Sequence, residues 1–299
     1  MANSFVVGIL CSLLVCLSTF ASGGESEHLY YGIPSTQKIL IREAYTVSYD
    51  PQKRIPLWVA YKITPDYLNT PKRKKRFKKF RVDPYIKNAV HTKEYTNSGY
   101  ARGHLAPYAI SGGDRDDDGF YARLDKNSSI GDTDEEQTVF EINYFSNITP
   151  QNQRCFNGAG GVWYQLERFL QDKIVKKQQR EIQVYAGVIF APDKPIIKIG
   201  PNQDIAVPDA FYKIVFEKQE DGEVTALSFL FPHYTENPEK TFCLSGRKHF
   251  SDSEHLTTVD EIEKQSGLDF MPLMGSKQED TIEARSSSDV WETYYQPSK

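Results

Sequence analysis

Arg102-Gly103-His104 is the segment whose residue types and spacing most directly suggest chemistry. It lies in Ser98-Gly99-Tyr100-Ala101-Arg102-Gly103-His104-Leu105-Ala106-Pro107, where two glycines flank the short run that ends in the histidine. In an extended chain, residues two apart project to the same face. Arg102 and His104 would then share a side. That pairing suits an anionic substrate, with the guanidinium holding phosphate oxygens and the imidazole moving a proton near pH 6.5. A histidine that serves only in packing is the competing reading of the tripeptide taken alone.

A second stretch carries candidate metal ligands. Asn147-Ile148-Thr149-Pro150-Gln151-Asn152 is followed by Phe156-Asn157 and then by Trp163-Tyr164-Gln165-Leu166-Glu167. Asn and Gln are hard oxygen donors without net charge, suited to Mg²⁺ that must keep waters and still admit a phosphate. Trp163 and Glu167 are one helical turn apart, so one can anchor the helix while the other faces a site. An Asn/Gly-rich turn before a surface helix is the bland alternative.

Two charged segments stand out from a modest total. Residues 72–81, KRKKRFKKFR, hold eight positive charges. They read either as a solvated surface stretch or as a phosphate-binding rim, in which Lys74, Lys75, Lys78 and Arg81 would give salt-dependent, sequence-independent affinity. Residues 114–136 hold nine acids against three bases. Within them Asp114-Arg115-Asp116-Asp117-Asp118-Gly119 fits the start of a calcium loop, with Asp125 at its twelfth position. The expectation is a structural Ca²⁺ site on Asp114, Asp116, Asp118 and Asp125, or else an acidic surface insert.

The elements that must position these groups follow from periodicity. Leu57-Trp58-Val59-Ala60-Tyr61-Lys62-Ile63 is a clear strand, and shorter strands are expected near residues 45–49, 139–145, 181–190, 211–217 and 224–231. Helical spacing is expected over residues 162–175. A second helix should start at a Thr257-x-x-Asp260 cap and stop at Gly267. Residues 276–299 read as a loose polar tail, and 24–56 as an N-terminal extension before a domain at 57–275. The 299 residues, 39% apolar, can bury a sizeable core in one α+β domain. A net charge of −4 is not the usual balance of a nucleic-acid binder, so the local clusters matter more than the sum.

Residues 1–24 carry no charged side chain and have an apolar run over 5–17, then small residues. That reads as a signal peptide ending near residue 23 and hence a secreted chain, the alternative being an uncleaved anchor helix. Cys155 and Cys243 remain after cleavage and read as one disulfide or as two buried thiols.

Taken together, the segments resemble the DNA/RNA non-specific endonuclease family, which includes the secreted Serratia-type nucleases and mitochondrial endonuclease G. Ala101-Arg102-Gly103-His104 matches the family's Asp-Arg-Gly-His signature. The stretch from Asn147 to Glu167 matches the second signature. Residues 59–64, 80–84, 207–213, 258–264 and 267–269 continue the match in family order. The resemblance implies a ββα-metal fold and Mg²⁺- or Mn²⁺-dependent hydrolysis of DNA and/or RNA. It implies His104 as general base and Asn157 as the protein's direct ligand to the metal. Glu167 would hold water on the metal, and Arg102 and Asn147 would steady the phosphate and the attacking water. No base-edge reading element is evident, so little sequence specificity is expected.

Two departures bear on these roles. Ala101 stands where the family has Asp. Gly158-Ala159-Gly160-Gly161 lengthens the Asn157–Trp163 connection by about two residues, which leaves Asn152 as the fallback ligand. They also raise the alternative of a nucleic-acid-binding protein that keeps the fold with weakened catalysis. A further alternative places the chain in the mitochondrial intermembrane space.

Overall fold

The computed structural model describes residues 26–35, 37–119, 121, 133–158, 160–219, 221–233 and 249–295. The expected leader, Asp125 and Cys243 lie outside these residues, and so does the Cys155 side chain.

The elements in chain order are β1 (Ile39–Ile41), β2 (Thr46–Asp50), β3 (Ile55–Ile63), β4 (Ala101–His104), α1 (Thr133–Glu141), β5 (Ile148–Gln151), α2 (Val162–Phe169), β6 (Ile182–Ile189), β7 (Lys198–Ile199), β8 (Ile205–Ala206), β9 (Ala210–Lys218), β10 (Val224–Pro232), β11 (Leu256–Thr257), α3 (Val259–Ser266), α4 (Ser276–Glu283) and α5 (Ser287–Val290). Seven strands form one antiparallel sheet in the order β1-β2-β3-β6-β9-β10-β11. β4 pairs with β5, and β7 with β8, as separate two-stranded ribbons.

Both faces of the sheet are covered, which explains why its central strands read as nearly continuous apolar runs. Alternation splits each strand between two cores. Val59, Tyr61 and Ile63 of β3, with Phe211 and Val215 of β9, join the core shared with Leu105, Ile148, Trp163 and Leu166. Trp58 and Ala60, with Tyr212, Ile214 and Phe216, join the opposite core against Ile262 of α3 and Phe270. The β4–β5 ribbon and α2 therefore lie on one face of a rigid sheet, in ββα order. The α+β expectation holds.

Four expectations need correction. Residues 139–145 are not a strand: α1 runs to Glu141 and turns follow. Glu135, Thr138, Val139 and Ile142 are buried at helical spacing, and only the local alternation of 139–145 resembled a strand. The C-terminal segment is not loose. It forms α4 and α5, the Ser287 hydroxyl accepts from Ser228 N at 2.7 Å, and Tyr295 donates to Glu217 at 2.6 Å. Ile282, Val290 and Tyr295 are buried, and Trp291 is partly buried against the core. Residues 24–56 are part of the fold as well, since β1 and β2 complete one edge of the sheet. The cap before α3 is shifted by one residue: the Thr258 hydroxyl accepts from Glu261 N at 3.1 Å, and Gly267 closes the helix at φ 70°.

Candidate active site

β4 presents Arg102 and His104 on one face. Both rest on Phe80: the Arg102 guanidinium lies 4.6 Å from the ring centroid and the His104 ring 5.4 Å. The ribbon fixes their height, with Arg102 opposite Pro150 and His104 opposite Ile148. Gly103 is required between them, because a Cβ there would stand 2.0 Å from the Gln151 amide of the facing strand.

The histidine is oriented by a residue that sequence reasoning missed. Asn143 donates through Nδ2 to the carbonyls of Phe77 and Val139, at 3.2 and 3.0 Å. Its Oδ1 therefore faces His104 Nε2 at 3.2 Å as acceptor. Nε2 carries the proton, and Nδ1 keeps a lone pair. Burial pushes the His104 pKa down to about 3, and the nearby Arg73 guanidinium adds to the effect. The ring is a neutral imidazole at physiological pH.

Arg73 is the second missed residue. Its guanidinium lies 5.1 Å from the Phe80 centroid and 5.5 Å from that of Tyr108, and it donates to Asn143 Oδ1 at 3.4 Å. Two adjoining clefts of about 440 Å³ each share Arg73, Gln153 and Asn157. One adds Tyr100 and Arg102; the other adds His104, Trp163, Glu167 and Arg168. The structure thus brings Arg102, His104, Asn157 and Glu167 together around a cation drawn from the basic run.

Other candidates lie elsewhere. Asn147 is fully buried, its amide used by Ala106 N and O and by Ile142 O. It staples the loop after β4 to the start of β5 rather than facing either cleft. Asn152 is buried beneath the turn, with its backbone N–H donating to His233 Nε2 at 2.9 Å, and it lines neither cleft. Lys74, Lys75 and Lys78 are exposed on a turn pinned by the buried Phe77 and line neither cleft, although Arg73 and Phe80 on either side of that turn do. Arg81 folds back onto the protein instead: its guanidinium lies 3.9 Å from the Phe140 centroid and donates to Arg76 O. Its charge is held on an aromatic face rather than offered to a phosphate.

Asn157 sits at the end of a wide turn. Asn157 N donates to Asn152 O at 3.0 Å, and Gly158 N to Gln153 O at 2.8 Å. Asn157 Nδ2 donates to Gln151 Oε1 at 2.5 Å, which leaves Oδ1 as the hard oxygen donor toward the clefts. Glu167 accepts from Lys213 Nζ at 3.2 Å. Burial raises its pKa above the usual carboxylate range, opposed by the Lys213 charge. A neutral amide oxygen, a carboxylate and polar walls form a donor set that fits a hard dication such as Mg²⁺ or Mn²⁺.

The acidic loop is folded around its first residue. Asp114 accepts from Asp118 N at 3.0 Å and from Gly119 N at 2.7 Å. Asp114 and Asp116 converge with Glu135 of α1, with ligand atoms within 4.8 Å of one another. The calcium-loop frame ends at Asp125 and does not reach Glu135.

The family model described as DNA/RNA non-specific endonuclease matches residues 24–274. The chain is 27% identical to Nuclease C1 of Cunninghamella echinulata var. echinulata over 83% of its own length and 89% of that protein's. It is 28% identical to Nuclease of Serratia marcescens, covering 87% and 86%. It is 26% identical to human mitochondrial Endonuclease G, covering 81% and 72%. The fold is shared with a chain in the crystal structure of the EndoG/EndoGI complex, at TM-score 0.63 and 23% identity, covering 87% of this chain and 96% of that one. Among the described residues no helix is long and apolar enough to cross a membrane. With a ββα unit carrying an Arg-Gly-His strand against an Asn-bearing turn, and with a family match over most of its length, this chain belongs to the DNA/RNA non-specific endonuclease family.

Proposed function

We propose that the chain is a secreted endonuclease that hydrolyses phosphodiester bonds of DNA and/or RNA without sequence specificity, using a divalent metal and His104 as general base. The observation that supports this best is the hydrogen bond between His104 Nε2 and Asn143 Oδ1. Asn143 Oδ1 accepts from Nε2–H, which leaves Nδ1 as the basic atom, and His104 lines a cleft with Arg73, Asn157 and Glu167.

Each residue has a separate role. His104 Nδ1 takes a proton from water, whose oxygen bonds to phosphorus as one ester P–O bond breaks. The leaving oxygen is protonated from solvent. Arg73 and Arg102 bind the phosphate and balance charge that grows on its oxygens. Asn157 Oδ1 would hold the metal, and Glu167 would orient water in the cleft. Mg²⁺ or Mn²⁺, when bound, supplies electrostatic stabilisation of the phosphate and leaving oxygens. Asn147 acts at a distance by keeping the β4–β5 ribbon in register. Asp114 and Asp116 of the expected calcium loop, joined by Glu135 of α1 rather than by Asp118, form a candidate structural calcium position.

Supercoiled plasmid incubated with the purified protein and Mg²⁺ or Mn²⁺ should be nicked and then degraded, and EDTA should stop the reaction. Intact plasmid with either metal would favour the alternative, a catalytically weakened nucleic-acid-binding protein. That alternative draws on Ala101, which removes the carboxylate of the family signature. The apolar run over residues 5–17 supports secretion; a mature N-terminus that retained this run would instead fit an anchored, mitochondrial protein.

The exposed lysines flank the cleft and are proposed as its phosphate rim. Replacing Lys74, Lys75, Lys78 and Lys79 by glutamine should weaken DNA binding at moderate salt. The slope of log K against log salt should flatten by roughly 0.9 for each duplex phosphate that is no longer neutralised. Anisotropy of a labelled duplex in EDTA reads both, and an unchanged slope would make the run a bystander.

A further inference from the structure

β9 places a lysine where the sheet calls for an apolar residue. Lys213 shares its face with Phe211 and Val215, and that face lies against the core beneath the clefts. Its side chain is fully buried. Nζ lies 3.2 Å from Glu167 Oε1 and 3.9 Å from the Trp163 ring centroid. Among the described residues Glu167 is the acid with which it forms an ion pair.

Stability alone gives no reason for this pair. Burial disfavours both charges, pushing Lys213 down and Glu167 up from their ordinary values. A buried ion pair replaced by apolar residues of similar volume is often neutral or stabilising. The pair is costly to bury, and it sits where an anion is useful. Among the described residues Glu167 is the only carboxylate lining the two clefts, and Ala101 offers none from the β4 side. The Trp163 ring meets the lysine ammonium and stacks on Phe156, next to Asn157, at 5.4 Å. The pair therefore connects the central sheet, the start of α2 and the Asn157 turn.

We propose that Lys213 is a positioning residue for hydrolysis: it holds Glu167 as an oriented anion facing the His104–Asn157 cleft. The inference rests on the role assigned above to Glu167. Lys213 lines neither cleft; it acts through its bond to one carboxylate oxygen of Glu167, which does line the cleft with His104 and Asn157.

The test uses the full-length mature protein with Lys213→Met, Lys213→Arg, Glu167→Gln and the Lys213→Met/Glu167→Gln pair. Steady-state cleavage, Mg²⁺ titration and thermal unfolding are measured for each. Lys213→Met should lower kcat and raise the Mg²⁺ concentration for half-maximal rate by ~10- to 100-fold, the usual effect of an outer-shell partner. KM for DNA should stay within about threefold, because phosphate binding rests on Arg73 and Arg102. Lys213→Arg, which keeps the charge, should recover most of the loss. The double variant should be no slower than Glu167→Gln alone, since the lysine has nothing left to hold. If Lys213→Met folds poorly, the double variant removes the orphaned buried charge, and its comparison with Glu167→Gln still decides the matter. A slow Glu167→Gln beside a Lys213→Met protein with wild-type kcat and Mg²⁺ response overturns the inference. So does a double variant slower than Glu167→Gln by the full factor of Lys213→Met. A wild-type protein that cleaves nothing with any metal, or a Glu167→Gln protein of wild-type rate, is instead failure of the functional reading, and the inference falls with it.

Discussion

His104→Ala is expected to slow phosphodiester hydrolysis by ~10²- to 10⁴-fold, the range that general-base catalysis contributes. The fold should persist, because β4 is held by backbone pairing to β5 and by the buried Leu105 that follows it. The variant removes the only imidazole that lines the two clefts among the described residues. DNA affinity should change little, since Arg73 and Arg102 remain. Cleavage and duplex binding measured on the same preparation separate chemistry from binding. A folded His104→Ala protein with near-wild-type turnover would falsify the assignment.

The same imidazole makes a prediction about pH. Its conjugate acid is disfavoured by burial and by Arg73, so it stays unprotonated well below its ordinary value of 6.5. A group whose value falls in this direction holds its active form as pH is lowered through 6.5. The profile of kcat/KM, which reports the free enzyme, should therefore show no loss between about pH 7.5 and 6. Any acid limb should belong instead to Glu167, whose carboxyl burial raises above its ordinary value, and should be absent from Glu167→Gln. A limb at the ordinary histidine value would mean a wetter ring than the geometry gives.

Much of the fold can be read from the chain, and the reason is physical. β3, β6, β9 and β10 are buried on both faces, so their sequences are long apolar runs bounded by turns. The ribbon and α2 are legible through their glycines, their Asn-rich turn and the Trp163/Glu167 spacing. Asn143 is not, because the local alternation around it reads as a strand. Its role depends on a turn after α1 that delivers Oδ1 to His104 across thirty-nine positions of sequence. Arg73 is hidden among eight like charges, and only the stacking on Phe80 sets it apart. Lys213 does carry a signal in the sequence: a lysine in register with Phe211 and Val215 has to be buried. The C-terminal helices are not legible, because sparse apolar residues give no period until the surface they meet is known. Composition alone cannot find that surface.

Asn157→Ala is expected to abolish metal-supported cleavage, whereas Asn152→Ala should retain most of it. The two asparagines differ in what their turn does with them. The bonds from Asn157 N to Asn152 O and from Gly158 N to Gln153 O wind the chain wide enough to absorb extra residues. The glycines then close it: a Cβ on Gly158 would stand 2.2 Å from Gln153 O, and one on Gly161 would stand 2.3 Å from Phe156 O. Gly160 takes φ 95°. α2 starts at once, with Gln165 N bonded to Gly161 O at 2.9 Å. The inserted glycines are thus consumed within the turn, and Asn157 reaches the clefts while Trp163 stays packed on Phe156. Gln151 fixes its amide so that the oxygen is the free end. Asn152 is on the inner side of the same turn, its backbone held by His233 and its side chain away from both clefts. Magnesium titration of cleavage, with circular dichroism to confirm folding, separates the two variants. If the folded Asn152→Ala protein is the inactive one and Asn157→Ala keeps its rate, the turn presents the other asparagine to the metal, and the role given to the glycine insert is wrong.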